Sequence, residues 1–159
     1  KVKKVYDGDT VLLSDGRKIR LIGINTPEIE HARQPAQTGG EVARKWLTQQ
    51  LLNTTIRLEF DQEQQDKYKR YLAHIFTRQG VHINRELVRL GYASTSIYPP
   101  NLKYVPELLV AEQIAQSKHL GIWGYSDYST KQTSEINKKN KRGWQRIVGH
   151  VIKVKSTVT

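Results

Sequence analysis

Short apolar runs separated by turn residues fill the opening of this chain and force it toward a β-rich fold. Val2 to Tyr6, Thr10 to Leu13 and Ile19 to Ile24 each read as a strand, and Asp15-Gly16 marks a hairpin between the last two. A polar loop runs from Asn25 to about Gly39, punctuated by Pro27, Pro35 and Gly39-Gly40. The period then changes. Val42, Trp46, Leu47 and Leu51 recur at helical spacing over Glu41 to Leu52, and Leu108, Leu109, Ala111, Ile114 and Ala115 do so over Val105 to Lys118. Between these helices Ile56 to Phe60 reads as a strand, and Tyr68 to Thr77 pairs with Val81 to Ile83 through a turn at Gln79-Gly80. Asn84 is the expected N-cap of a short helix ending at Gly91, and Ser94 to Lys103 reads as a loop. Strands first, with helices interleaved late, make an α+β chain that is mainly β. The expected architecture is a five-stranded Greek-key barrel of the OB type with three helices.

A chain of 159 residues suffices for one domain with a real core. That domain is expected over residues 1–124, followed by a basic polar linker or arm over 125–146 and a strand within 147–159. The arm carries Lys131, Lys138, Lys139, Lys141 and Arg142 against Asp127 and Glu135. The strand from Ile147 to Val154 either pairs back onto the barrel or begins a second, truncated module, and the second reading is preferred. Without cysteine the chain has neither disulfides nor a thiolate metal site. His31, His74, His82, His119 and His150 show no metal-motif spacing, and His74 with His82 read as core or surface filler. No apolar run is long enough to span a membrane. The chain opens at Lys1 and lacks methionine, so an initiator or leader is expected to have been removed. A net charge of +11 makes a polyanion the natural partner, because each neutralised phosphate releases condensed counterions.

Three clusters narrow the chemistry: Asp7-Gly8-Asp9-Thr10, then Arg20 through Asn25-Thr26-Pro27-Glu28, then Asp66-Lys67-Tyr68-Lys69-Arg70. Cutting a phosphodiester bond requires a neutralised phosphate, an aimed and deprotonated water, a stabilised pentavalent state and a protonated leaving oxygen. Carboxylate, amide and backbone oxygens suit a hard cation such as Ca²⁺. Arginine grips phosphate with two parallel charge-assisted hydrogen bonds. If strand alternation holds, Arg20 shares a face with Ile22 and Ile24, where an unpaired guanidinium is costly, so it needs a carboxylate or a phosphate. The plainer readings stay open: Asp7-Gly8-Asp9 as a turn alone, and Arg20 in a structural ion pair with Asp9 or Glu28.

These ordered stretches closely resemble the staphylococcal (micrococcal) nuclease family, the thermonucleases, over about residues 1–124, with Leu87-Val88-Arg89 and Ile122-Trp123 adding to the match. The resemblance implies an OB-fold barrel with three helices that cleaves DNA and RNA with Ca²⁺, leaving 3′-phosphate and 5′-hydroxyl ends. It implies that Asp9, Asn25 and the Thr26 carbonyl bind calcium and that Glu28 acts as general base on a water. Arg20 and Arg70 then hold the phosphate and stabilise the transition state, while Lys67 and Tyr68 contact phosphate and Tyr98 stacks on a base. It further suggests a monomer that is secreted or periplasmic.

Several positions depart from that pattern. Asn25 stands where the best-known members carry aspartate, which predicts weaker calcium binding or relaxed choice among divalent ions. Lys69 stands where glycine is usual, so the turn is expected to differ. Ser96 replaces a second tyrosine, which thins the base stacking, and Arg33 is the main cation of a loop with few lysines. Glu30 and His31 are secondary candidates for charge near the metal and for a general acid. The rival class is a catalytically silent OB module that binds single strands. A lectin-like or protein-binding barrel leaves the paired arginines unexplained.

Overall fold

The computed structural model describes residues 1–30, 36–136, 146–150 and 152. His31, Arg33 and Pro35, positions 138–142 and, of the expected strand from 147 to 154, positions 151, 153 and 154 lie outside the described residues. The chain divides into two compact units, Lys1–Gly124 and Tyr125–Thr159.

In the first unit the opening strands are β1 (Val2–Val5), β2 (Thr10–Leu13) and β3 (Lys18–Leu21). The hairpin at Asp15-Gly16 is tied by Asp15, whose carboxylate accepts from the Arg17 backbone and guanidinium. The expected third strand does not run through to Ile24. It breaks at Ile22-Gly23, where Gly23 takes φ 76, and resumes as β4 (Gly23–Asn25). Helix α1 (Gly40–Leu51) follows, then β5 (Arg57–Glu59), β6 (Tyr71–Phe76), α2 (Ile83–Arg89), β7 (Ser94–Ser96) and α3 (Val105–Ser117).

The main sheet has the order β1-β2-β3-β6-β5, antiparallel except that β3 and β6 run parallel. A second ladder joins β4 to β7 in antiparallel register, Asn25 opposite Ser94. Five strands in one sheet and three helices match the expected α+β class. Among the described residues no ladder joins β5 to β1, so the sheet is not seen to close. β1 is bonded instead, through Val2, to Asn53 and Thr54 in the turn after α1.

Four local expectations are corrected. Ser94–Ser96 is a strand rather than loop, because pairing with β4 satisfies a segment with no apolar run of its own. Val81 to Ile83 forms only a single bridge, Phe76 to His82, before α2 begins. The N-cap of α2 is His82; Asn84 lies inside the helix with its side chain buried. Finally, the helical stripes are narrower than expected, with Ala43 added to the buried side of α1. Ala43, Leu47 and Leu51 of α1 and Leu108, Ala111 and Ala115 of α3 are buried, while Val42, Leu109 and Ile114 face outward. The core gathers Leu47, Leu51, Leu108 and Ala111 with Val2, Val11, Ile19, Leu21, Ile24, Ile75 and Leu87.

In the second unit β8 (Thr130–Gln132) pairs in parallel with β9 (Arg146–Val148). The expected linker thus carries a strand, and Ile147 and Val148 of the late strand are laddered to it.

Candidate active site

Asp9 anchors the site. It leaves a turn in which the Asp7 carboxylate accepts from the Asp9 amide at 3.0 Å. A β-carbon on Gly8 would lie 2.7 Å from both Ala43 Cβ and Thr26 Cγ2, so only glycine lets this turn press against α1 and Thr26. The buried Asp9 carboxylate is fully engaged. Its Oδ2 accepts from the Thr26 amide and hydroxyl, each at 3.0 Å. Its Oδ1 accepts from the Thr10 hydroxyl at 3.1 Å and pairs with Arg20 Nε at 3.1 Å.

Arg20 extends this network. The bend between β3 and β4 wraps main chain around its guanidinium, so Nη1 donates to the carbonyl oxygens of Leu21 and Ile24, the latter at 3.0 Å. Nη2 donates to Asn25 Oδ1 at 3.2 Å, and the Asn25 amide donates in turn to the Thr26 carbonyl at 3.3 Å. The ion pair with Asp9 and these carbonyls satisfy a guanidinium whose side chain is largely covered, 17% exposed.

Glu28 follows Pro27 into a loop pinned at both ends. Its amide donates to Gln37 Oε1 at 3.0 Å, and its carbonyl accepts from the Gln37 amide at 2.8 Å. Glycine at position 40 lets α1 start against this backbone, since a β-carbon there would stand 2.6 Å from the Glu28 carbonyl oxygen.

The second arginine arrives on the neighbouring strand. Asp66 holds it twice, its Oδ1 accepting from the Arg70 amide at 3.0 Å and its Oδ2 from Nε at 2.7 Å. Between them Lys69 adopts φ 62. The left-handed turn is therefore kept without glycine, against expectation, and the β-carbon carries the strain. Parallel pairing of β3 with β6, Arg20 opposite Leu72, brings the two arginines to one cleft of about 660 Å³. Lys67, Tyr68, Ser96 and Tyr98 line it as well. The two aromatic rings are strongly exposed, Tyr68 at 68% and Tyr98 at 75%. Lys67 Nζ lies 5.2 Å and the Arg70 guanidinium 5.5 Å from the Tyr68 ring centroid.

The two walls are clasped beyond the arginines. Asn101 Oδ1 accepts from the Glu63 amide at 2.8 Å and its Nδ2 donates to the Glu63 carbonyl at 3.0 Å, while Asp61 accepts from the Lys103 amide at 2.7 Å. These bonds tie Asp61 and Glu63 on one wall to Asn101 and Lys103 on the other.

Of the nine predicted positions, Asp9, Arg20, Asn25 and Thr26 form one bonded network, and Arg20, Lys67, Tyr68, Arg70 and Tyr98 share the cleft. Arg20 alone belongs to both. Asp9, Asn25 and Glu28 do not line the cleft. Among the described residues no group of three or more acidic, histidine or cysteine side chains is placed to hold a metal. The oxygens gathered here are instead mixed, the Asp7 and Asp9 carboxylates, the Asn25 amide and the Thr26 carbonyl, and those of Asp9, Asn25 and Thr26 already accept hydrogen bonds within the network. Asp7 was not among the predicted site residues, although the doubled aspartate around Gly8 signals it. Burial, and next the charge of Asp9, push its carboxyl up to about 6.

A family model described as Staphylococcal nuclease homologue matches residues 18–125. The chain is 40% identical over 125 residues to a protein named Thermonuclease from Staphylococcus intermedius, covering 77% of this chain and 74% of that one. It is 35% identical over 126 residues to the Thermonuclease of Staphylococcus hyicus, with the same two shares. Endonuclease YncB of Bacillus subtilis is 33% identical over 134 residues, 81% of this chain and 63% of the relative.

Proposed function

Because the chain belongs to the staphylococcal nuclease family, we propose that it is a metal-dependent phosphodiesterase that hydrolyses DNA, RNA or both to 3′-phosphate and 5′-hydroxyl ends. The observation that carries this reading is the position of Arg20, bonded on one side to Asp9 and Asn25 and exposed on the other to the cleft it shares with Arg70. We read the two ladders as parts of an OB-type barrel, with the cleft on its outer face.

Asp9, Asn25 Oδ1 and the Thr26 carbonyl would hold Ca²⁺, whose charge would offset that of the phosphate. Arg20 and Arg70 grip the non-bridging oxygens, where negative charge grows as the phosphorus becomes five-coordinate. Glu28 takes a proton from a water whose oxygen forms the new bond to phosphorus. The bond to the 5′ oxygen breaks, that oxygen gains a proton, and the phosphate stays on the 3′ side. Lys67 and Tyr68 contact a neighbouring phosphate, and Tyr98 receives a base on its exposed face.

Incubation with denatured DNA and Ca²⁺ tests the reading. Cleavage is expected to disappear with chelator and in Glu28→Gln, and Arg70→Ala is expected to lose roughly 3–4 kcal/mol of transition-state stabilisation. Substantial activity in Arg70→Ala would remove the assigned role.

One observation favours a second reading, a weak or silent strand-binding module. Asn25 brings no charge, and its amide oxygen is occupied by Arg20. Tight, salt-sensitive binding without cleavage is its signature.

A further inference from the structure

The outer face of β1–β3 continues from the cleft onto a second cationic aromatic spot. Val5, Val11 and Ile19 point into the core, so their neighbours in each strand stand on the opposite face, where Thr10 is buried, Tyr6, Leu12 and Arg20 are half-buried, and Lys4 and Lys18 are exposed. Two rows result. Tyr6 bonds across to Thr10, and Thr10 stands opposite Arg20; one step along, Lys4 stands opposite Leu12 and Leu12 opposite Lys18. Residues directly opposite share a face. Arg20 and Leu72 end the first row inside the cleft. Tyr6 is therefore two strand spacings from Arg20, roughly 10 Å.

At Tyr6 two ammonium groups converge on one half-buried ring. Lys4 Nζ lies 4.7 Å and Lys18 Nζ 4.5 Å from its centroid. Among the described residues none of Lys3, Lys4 and Lys18 has a carboxylate at ion-pair distance. Two like charges drawn to one ring, with no acidic partner, repel each other while sharing a single weak acceptor. Phosphates satisfy both, and a base can then occupy the ring face the ammoniums leave.

We propose that Tyr6, Lys4 and Lys18 form a second contact for the single nucleic-acid strand that occupies the cleft, Lys4 and Lys18 each taking a phosphate and Tyr6 a base. The inference rests on the nuclease reading for the direction of the strand, and it extends the footprint of that strand across β3, β2 and β1.

Binding of labelled oligothymidylate, with oligouridylate in parallel to identify the sugar, is measured in chelator against salt concentration. Removing two phosphate contacts in Lys4→Ala/Lys18→Ala is expected to reduce the slope of log K against log salt by about 1.4. A dinucleotide that only fills the cleft is expected to bind that variant like the parent. The control Lys45→Ala/Lys118→Ala, with one exposed lysine in α1 and the other at the C-cap of α3, keeps the parental slope. Tyr6→Leu weakens strand binding about tenfold and Tyr6→Phe restores it, because stacking needs the ring and not the hydroxyl. The proposal is overturned if the slope is unchanged, if the control loses as much, or if Tyr6→Leu binds normally. If calcium added back produces no cleavage while the slope still falls, the nuclease reading fails and this contact stands.

Discussion

Lys69 holds φ 62 in the turn that aims Arg70, where a β-carbon crowds the following carbonyl. Replacing it with glycine relieves that crowding and returns some freedom to the unfolded chain. Lys69→Gly is therefore expected to gain about 0.5–1 kcal/mol, read as a higher urea midpoint at unchanged m. At Asn25 the relevant quantity is charge. Asn25→Asp is expected to tighten calcium binding, measured by titration calorimetry, and no gain would remove this residue from the ligand set. Both residues stood out as departures in the sequence. What they do did not, because φ at position 69 is set by the Asp66 bonds on either side. Arg20 likewise left two readings open, a carboxylate or a phosphate. The structure shows the carboxylate pair and also an edge toward the cleft.

Alternation and helical spacing located most strands and all three helices, but made the buried stripes wider than they are. Ala43 joins the buried side of α1, which packs on β1, and Leu108, Ala111 and Ala115 form that of α3, which packs on α2 and β7, while Val42, Leu109 and Ile114 face outward. Ser94–Ser96 was unreadable as a strand because only its ladder with β4 makes it one. Asn84 was mistaken for a cap. It is the bolt between α2 and the sheet: its Oδ1 accepts from the Ile75 amide at 3.0 Å and its Nδ2 donates to the Ile22 carbonyl at 2.9 Å, at the bend that wraps Arg20. Asn84→Ala leaves both buried groups unpaired and is expected to cost roughly 2–4 kcal/mol by denaturant unfolding. A loss below about 1 kcal/mol would mean that water replaces the amide.

The response of the fold to acid depends on a histidine pair that composition suggested was filler. His82 Nε2 lies 3.1 Å from His74 Nδ1, both rings are buried against Tyr104, and Phe76 stacks on His82. Burial holds His74 down to about 4 and His82 to about 3. The unfolded chain binds those protons first, so stability is full above pH 6.5 and falls as pH drops from there toward 4. Each histidine contributes a slope of about 1.4 kcal/mol per pH unit. Asp7, held up to about 6, opposes one of them between its ordinary value and pH 6. Urea unfolding from pH 7 to 4.5 is expected to show the net loss, and His82→Phe to flatten it; an unchanged slope would mean that other groups govern acid sensitivity.

The parallel ladder between β3 and β6 has a kinetic consequence. Ile19 meets Tyr71 only after the intervening chain, α1 included, has been brought round. Pairing so distant in sequence forms slowly, since the loop must close before the contacts repay it. During refolding, helical signal is expected to return before affinity for an oligonucleotide, because until that last ladder zips the two guanidinium groups have no common place to meet.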